Sequence, residues 1–93
     1  MQIVKDERYY LDLTEVMNFI ARDSVQRAIL FQTDLDASID DIINFPLKYR
    51  KSIYFDNENI RDLIFKGYVI PYEIDMQNLT ITVLGIVKYK SIF

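Results

Sequence analysis

The most constraining feature of this sequence is a change of hydrophobic pattern at Pro46. Before this proline, apolar residues recur every three or four positions, the spacing of one face of an α-helix. After it, short runs rich in β-branched residues alternate with turn-forming residues, which is typical of strands. Because proline cannot continue a helix, a helical first half and a stranded second half are predicted to meet there.

The first half is predicted to form two helices, over about residues 7–22 and 25–44. Each has an apolar stripe at helical spacing: Tyr9, Leu13, Val16 and Ile20 in the first helix, and Ala28, Phe31, Leu35, Ile39 and Ile42 in the second. The side chains of Asp23 and Ser24 can cap the second helix. Because so few residues separate the helices, they should fold back as an antiparallel hairpin.

The second half is predicted to form three strands joined by two turns. The strands span residues 60–65, 68–74 and 79–87, and the turns lie at residues 66–67 and 75–78. A short N-terminal strand over residues 2–5 could add a fourth. Pro71 cannot donate a backbone hydrogen bond, so it suggests a bulge or an open edge in the middle strand.

These elements predict an α+β fold consisting of an N-terminal strand, an α-helical hairpin and a three-stranded antiparallel β-meander. The hairpin should pack on one face of the sheet. The opposite face and the sheet edges are then expected to bind a partner or substrate. With 93 residues and no linker-like stretch, the chain is expected to be one domain spanning residues 1–93.

Composition narrows the chemistry of the chain. The sequence contains no cysteine and no histidine, which excludes disulfides, Cys/His zinc sites and the commonest general base at neutral pH. No metal and no cofactor are expected. The sequence has neither a signal-peptide pattern nor an apolar run long enough to span a bilayer. We therefore expect a cytoplasmic protein with no membrane partner.

Charge is unevenly distributed along the chain, whose net charge is −3. Residues 1–45 hold four basic and nine acidic residues, whereas residues 46–93 hold seven basic and five acidic residues. Affinity for nucleic acids depends on neutralising phosphates, so the acidic total argues against direct DNA binding. A local basic patch in the second half remains compatible with this composition.

Several phrases, taken in order, resemble the RelE/ParE family of bacterial toxins. They comprise a short acidic break between two helices with an early alanine, a proline-ended helix with an arginine-containing connector, paired central strands and a basic end. These phrases lie at residues 19–24 and 27–28, 42–46 and 49–52, 61–64 and 67–74, and 83–86 and 88–90. The resemblance covers nearly the whole chain.

The resemblance implies the toxin of a type II toxin–antitoxin pair, held inactive by a cognate antitoxin. ParE-like members of the family inhibit DNA gyrase and are not nucleases. RelE-like members act on the ribosome, where they cut mRNA without a metal. A third possibility is a degenerate member that binds an antitoxin-like partner but has lost its toxicity.

The resemblance also suggests which residues would cleave RNA. Arg61 and Lys88 could clamp a phosphate, and Tyr89 could stack on a base or donate a proton, with Lys90 beside it. Three departures from the RelE-like pattern favour the ParE-like activity. Val69 stands where RelE-like nucleases often have arginine, the final strand and tail lack histidine, and the chain is acidic.

Four further residues are candidates for binding the target or a partner: Arg50, Lys51, Tyr68 and Tyr72. Each candidate also has a purely structural explanation. Arg61 could form a surface ion pair with Asp62 or Glu73. The terminal lysines could protect a sheet edge, and the tyrosines could be packing residues.

Overall fold

The computed structural model describes residues 1–89 and places a helical hairpin against a β-sheet. Lys90, a candidate site residue, lies outside the described residues. The elements in chain order are β1 (Gln2–Lys5), α1 (Glu7–Ala21), α2 (Val25–Asp41), a 3₁₀ turn (Ile42–Asn44), β2 (Ile60–Phe65), β3 (Tyr68–Asp75), β4 (Thr80–Val83) and β5 (Val87–Lys88). No helix within this part of the chain is long and apolar enough to cross a membrane.

Both helices begin where a side chain caps the first turn. The backbone N–H of Arg8 donates to Asp6 at 3.0 Å, and that of Arg27 donates to the Ser24 hydroxyl at 3.2 Å. The predicted hairpin and the predicted Ser24 cap are therefore confirmed. The second helix is shorter than predicted, because residues 42–44 tighten into the 3₁₀ turn before Pro46.

The sheet contains the predicted meander, but it is mixed rather than purely antiparallel. The strand order is β1-β4-β3-β2, and β2, β3 and β4 pair antiparallel. The N-terminal strand pairs with β4 in the parallel orientation, with Gln2 opposite Thr80. Along the chain, two helices lie between β1 and the other strands. They supply the long connection that a parallel pair of strands needs.

The last predicted strand is interrupted, so its prediction as one continuous run was wrong. Its first part, β4, ends at Val83, and β5 rejoins β3 only at Val69 and Tyr68. The break lies opposite Pro71, whose carbonyl accepts from the N–H of Leu84 at 2.8 Å. Proline has no N–H to return, so the ladder cannot continue and the chain leaves it over residues 84–86.

The core lies between the hairpin and one face of the sheet. It contains the apolar stripes of both helices and the inward side chains of the strands: Tyr9, Leu13, Phe31, Leu35, Ile39, Ile42, Leu63, Tyr68, Ile70, Tyr72, Ile74, Ile81, Val83 and Ile86. The β2–β3 turn is a tight two-residue turn in which Lys66 (φ 47°) and Gly67 (φ 81°) both adopt positive φ. This turn sets the register that places Tyr68 and Tyr72 on the helix side.

The connector, residues 45–59, covers the outer edge of β2. The Asp62 N–H donates to the Arg50 carbonyl at 3.1 Å, and the Ser52 N–H donates to the Ile60 carbonyl at 2.8 Å. The connector then reaches the face opposite the helices, where the Ile53 N–H meets the Asp62 side chain. That face and that edge are consequently less open than the sequence led us to expect.

Candidate functional site

The structure places the predicted site residues in two separate groups along β3. Lys88 is paired with Tyr68, whereas Arg61 is paired with Tyr72. Four residues of strand span about 13 Å, and β2 and β5 lie on opposite sides of β3. Arg61 and Lys88 therefore do not converge on a point where both could hold one phosphate.

Lys88 and Tyr68 form the first group. The Lys88 ammonium nitrogen lies 4.6 Å from the centroid of the Tyr68 ring, which is a cation–π contact. The Tyr68 ring is buried and packs edge-on against Phe31, with 5.5 Å between the ring centroids. The next residue, Tyr89, has an exposed side chain, and its N–H donates to the Gly67 carbonyl at 2.9 Å.

An apolar cleft of about 410 Å³ opens beside this group. Its lining is mostly hydrophobic, with two carboxylates and one ammonium: Asp12, Glu15, Val16, Phe19, Tyr68, Ile86 and Lys88. The Phe19 side chain is 61% exposed at its rim. Carboxylates repel phosphate groups, so the cleft suits an apolar peptide side chain better than a nucleic acid.

The second group is a basic corner made of Lys48, Arg50, Lys51 and Arg61. Tyr49 links two of these side chains. The Arg61 Nη1 group donates to the Tyr49 carbonyl at 3.1 Å, and the Lys48 ammonium lies 5.5 Å from the Tyr49 ring centroid. Charges from the connector and from β2 therefore gather around one aromatic residue.

Tyr72 supports the basic corner from inside the core. Its side chain is fully buried, its hydroxyl donates to the Pro46 carbonyl at 2.6 Å, and its ring lies edge-on to that of Tyr49 at 6.3 Å. Burial raises the pKa of the Tyr72 hydroxyl well above its ordinary value, so the hydroxyl stays a donor. The geometry gives Tyr72 an internal role in holding the connector.

Two of the four corner charges are already neutralised. Arg50 lies 3.4 Å from an Asp62 oxygen, and Lys51 lies 3.3 Å from a Glu58 oxygen. Within residues 1–89, Lys48 and Arg61 form no salt bridge. These two cations are available to an anionic partner.

Asp62 is a buried structural residue, whereas the sequence suggested it only as a surface ion-pair partner of Arg61. Its side chain is 0% exposed, and its Oδ2 atom accepts from the Ile53 N–H at 3.1 Å and from Arg50. It ties the connector to β2 from the face opposite the helices. The alternation along β2 places Asp62 on the same face as Ile60, which is also buried, and this signal could have indicated its burial.

Asp12 is a second acidic residue with a structural role. Its carboxylate is mostly buried and accepts from the backbone N–H of Ile86 at 2.9 Å. Among residues 1–89, no group of acidic side chains is arranged to hold a metal ion. The site as a whole thus consists of an apolar cleft and a basic corner on either side of β3.

A helical hairpin on a β-meander, with a basic connector wrapped around the sheet edge, defines a small α+β protein of the kind that the sequence resembles. A family model described as the ParE toxin of the type II toxin-antitoxin system, parDE, matches residues 8–93. The chain belongs to this ParE toxin family.

A solved structure supports the same fold. A chain of "Chromosomal ParDE TA system from P. aeruginosa" superposes with a TM-score of 0.77, and the match covers 97% of each chain. The two sequences are 12% identical, so this is a similarity of fold. No curated protein matches the sequence.

Proposed function

We propose that this chain is a bacterial toxin that inhibits DNA gyrase and is neutralised by a cognate antitoxin. The observation that carries the proposal is the separation of Arg61 from Lys88 in a member of the ParE family. RNA cleavage without a metal needs several groups acting on one phosphate and on its attacking and leaving oxygens. Separated cations favour a toxin that acts by binding its target.

The charges near Lys88 support the same choice. Asp12 and Glu15 line the cleft in which Lys88 lies. A nuclease that grips mRNA requires a predominantly basic face, because each phosphate contact releases a counterion and adds affinity. This cleft instead offers an apolar floor and mixed charges, as protein-binding surfaces do.

Neutralisation by an antitoxin is supported by the exposed apolar side chains. They are distributed over the hairpin and the connector and include Leu11, Phe19, Val25, Ile29, Leu30, Phe45, Leu47 and Ile53. Phe19 lines one apolar cleft, and Phe45 and Leu47 line another. Apolar grooves of this kind accept helical or extended peptide segments. A partner that covers them would also block access to the target.

The decisive experiment is a supercoiling assay with purified gyrase and relaxed plasmid. The chain should inhibit supercoiling, and the antitoxin encoded beside it should restore the activity. Induction in bacteria should cause filamentation and the DNA-damage response. Normal supercoiling at a large excess of the chain would rule out the proposal.

Two matched lysine variants can show whether the basic corner is the surface that contacts gyrase or the antitoxin. Lys51 and Lys66 each form an exposed ion pair, with Glu58 and Asp34 respectively. Lys51→Glu reverses a charge at the basic corner. It should weaken either the inhibition of gyrase or the neutralisation by the antitoxin. Lys66→Glu makes the same change at the β2–β3 turn, so it controls for net charge and for stability.

One observation favours a second function, ribosome-dependent mRNA cleavage. The Lys88 ammonium is held over the Tyr68 ring beside the exposed Tyr89 side chain, where it could contact RNA. Primer extension on translating mRNA would then show cuts within codons that disappear in Lys88→Ala and Arg61→Ala. Intact mRNA during growth arrest would exclude this function. Unimpaired growth with a bound partner still recovered would indicate a non-toxic family member.

A further inference from the structure

The basic corner offers two cations in a defined setting. Arg61 is half-buried, and one of its amino groups is fixed on the Tyr49 carbonyl, which orients the planar guanidinium. The candidates for its partner in the sequence, Asp62 and Glu73, lie on the opposite face of the sheet, because Arg61 is paired with Tyr72 on the helix side. The guanidinium presents several N–H donors in a fork that matches a carboxylate.

Apolar side chains lie next to Lys48. A cleft of about 520 Å³ is lined by residues 44–48. Phe45 and Leu47 are 65% and 67% exposed, and they flank the chain leading to Lys48. A ligand that contacts Lys48 therefore also meets hydrophobic surface that gains free energy when it is covered.

Acidic residues border the same place. Asn44, which lines the cleft, donates to the Asp41 carboxylate at 2.8 Å, and Asp40 precedes it at the end of α2. Glu58 lies 3.3 Å from Lys51, another residue of the corner. A nucleic acid, with a negative charge at every nucleotide, would be repelled by these carboxylates. A peptide can place its few negative charges beside the cations alone.

We propose that the basic corner binds a peptide segment carrying both carboxylate and apolar side chains, with its carboxylates on Lys48 and Arg61 and its apolar groups on Phe45 and Leu47. The inference rests on the proposed function only in assigning this segment to the antitoxin. The corner then contributes to partner recognition by charge complementarity as well as by hydrophobic contact.

The test uses the whole chain and a defined probe, a capped and fluorescein-labelled hexapeptide that alternates glutamate and leucine. Fluorescence anisotropy measures its affinity, and amide chemical shifts of the isotopically labelled chain locate it. The shifts should concentrate at residues 45–51 and 61. Replacing glutamate by glutamine in the peptide, or raising the salt concentration, should weaken binding.

Single charge removals supply the controls. Lys48→Gln and Arg61→Gln should each weaken peptide binding by about fivefold, the upper range for one exposed ion pair. Lys66→Gln removes a charge far from the corner and should leave the affinity unchanged. Lys48 is a surface residue, so Lys48→Gln keeps the test decisive even if Arg61→Gln fails to fold.

Three results would overturn the inference: shifts located elsewhere, an unchanged affinity in Lys48→Gln, or tighter binding of an oligouridine than of the peptide. The readout involves neither gyrase nor growth. A chain that binds the peptide but leaves gyrase active would overturn the proposed function and leave this inference standing. Gyrase inhibition without peptide binding would do the reverse.

Discussion

The backbone N–H of Ile86 donates to the Asp12 carboxylate at 2.9 Å and so joins the last segment of the sheet to the middle of α1. The other carboxylate oxygen lies 3.0 Å from the Arg8 guanidinium. Gly85 makes this approach possible, since a Cβ at that position would lie 2.9 Å from the Asp12 oxygen. The interruption opposite Pro71 leaves the Ile86 N–H without a strand partner, and Asp12 takes that role.

We predict that Gly85→Ala destabilises the chain by about 1–3 kcal/mol, the cost of displacing the carboxylate and leaving a buried donor unpaired. Asp12→Ala should cost a similar amount. Because the added methyl no longer meets a carboxylate in the double variant, the combined loss should be smaller than the sum. Urea denaturation followed by circular dichroism measures all three. Additive losses would contradict the assigned contact.

The buried Asp62 makes a second prediction. Its partner Arg50 is 42% exposed, so solvent weakens the pair, but removing the cation still leaves a buried carboxylate uncompensated. Arg50→Ala should therefore destabilise the chain by about 2 kcal/mol, more than loss of an ordinary surface pair. Adding Asp62→Asn should restore part of the loss, because a neutral amide needs no cation and still accepts from the Ile53 N–H. A further loss in the double variant would refute this account.

The buried tyrosines predict how stability falls at alkaline pH. Burial is the main cause of the raised pKa of the Tyr9 and Tyr72 hydroxyls, whose ordinary value is 10.0. The fold favours their neutral forms, so this contribution to stability is complete below about pH 10 and decreases as the pH rises further. Phenolate absorbance of these two groups should appear only together with loss of circular dichroism.

Tyr72→Phe provides the matched variant for that titration. One phenolate fewer should form during alkaline unfolding. The free energy of unfolding should fall by about 1 kcal/mol, the value of the hydrogen bond to the Pro46 carbonyl. Tyr10→Phe, at an exposed position on α1, serves as the control for removing a tyrosine. Ionisation of every tyrosine before unfolding would contradict the prediction.

Asp75 predicts the opposite dependence at acidic pH. The Asn78 side chain and backbone both donate to its carboxylate, at 2.8 and 3.0 Å, and they lower its pKa from 3.8. The resulting stability is present above that value and is lost as the pH falls through the lower pKa of the folded state. Asn78→Ala should raise the pKa of Asp75 towards 3.8 in an NMR titration. Gln77→Ala, in the same turn, should leave it unchanged.

Features set by local sequence were predictable. Helical spacing and the Ser24 cap gave the starts of both helices at residues 7 and 25, and the strand over residues 60–65 was correct at both ends. Periodicity, capping and glycine turns depend on residues that are close together in the chain. A single sequence is therefore enough to predict the helix starts and the strand ends that they determine.

Features set by distant pairing were not predictable. The parallel orientation of β1 and the separation of Arg61 from Lys88 both depend on strand register across the sheet. The choice of Arg50 rather than Arg61 as the partner of Asp62 depends on the path of the connector. Side-chain alternation did contain one usable signal. Neighbouring residues in a strand point to opposite faces, so a strand directs Arg61 and Asp62 away from each other.

The parallel pairing of Gln2 with Thr80 has a consequence for how the chain is made. In chain order, β1 and both helices leave the ribosome first, and β4 follows only after the connector, β2 and β3. During translation the nascent hairpin carries an uncovered apolar side, and its first strand has no neighbour. The first strand can therefore gain its neighbour only after the β3–β4 hairpin has left the ribosome.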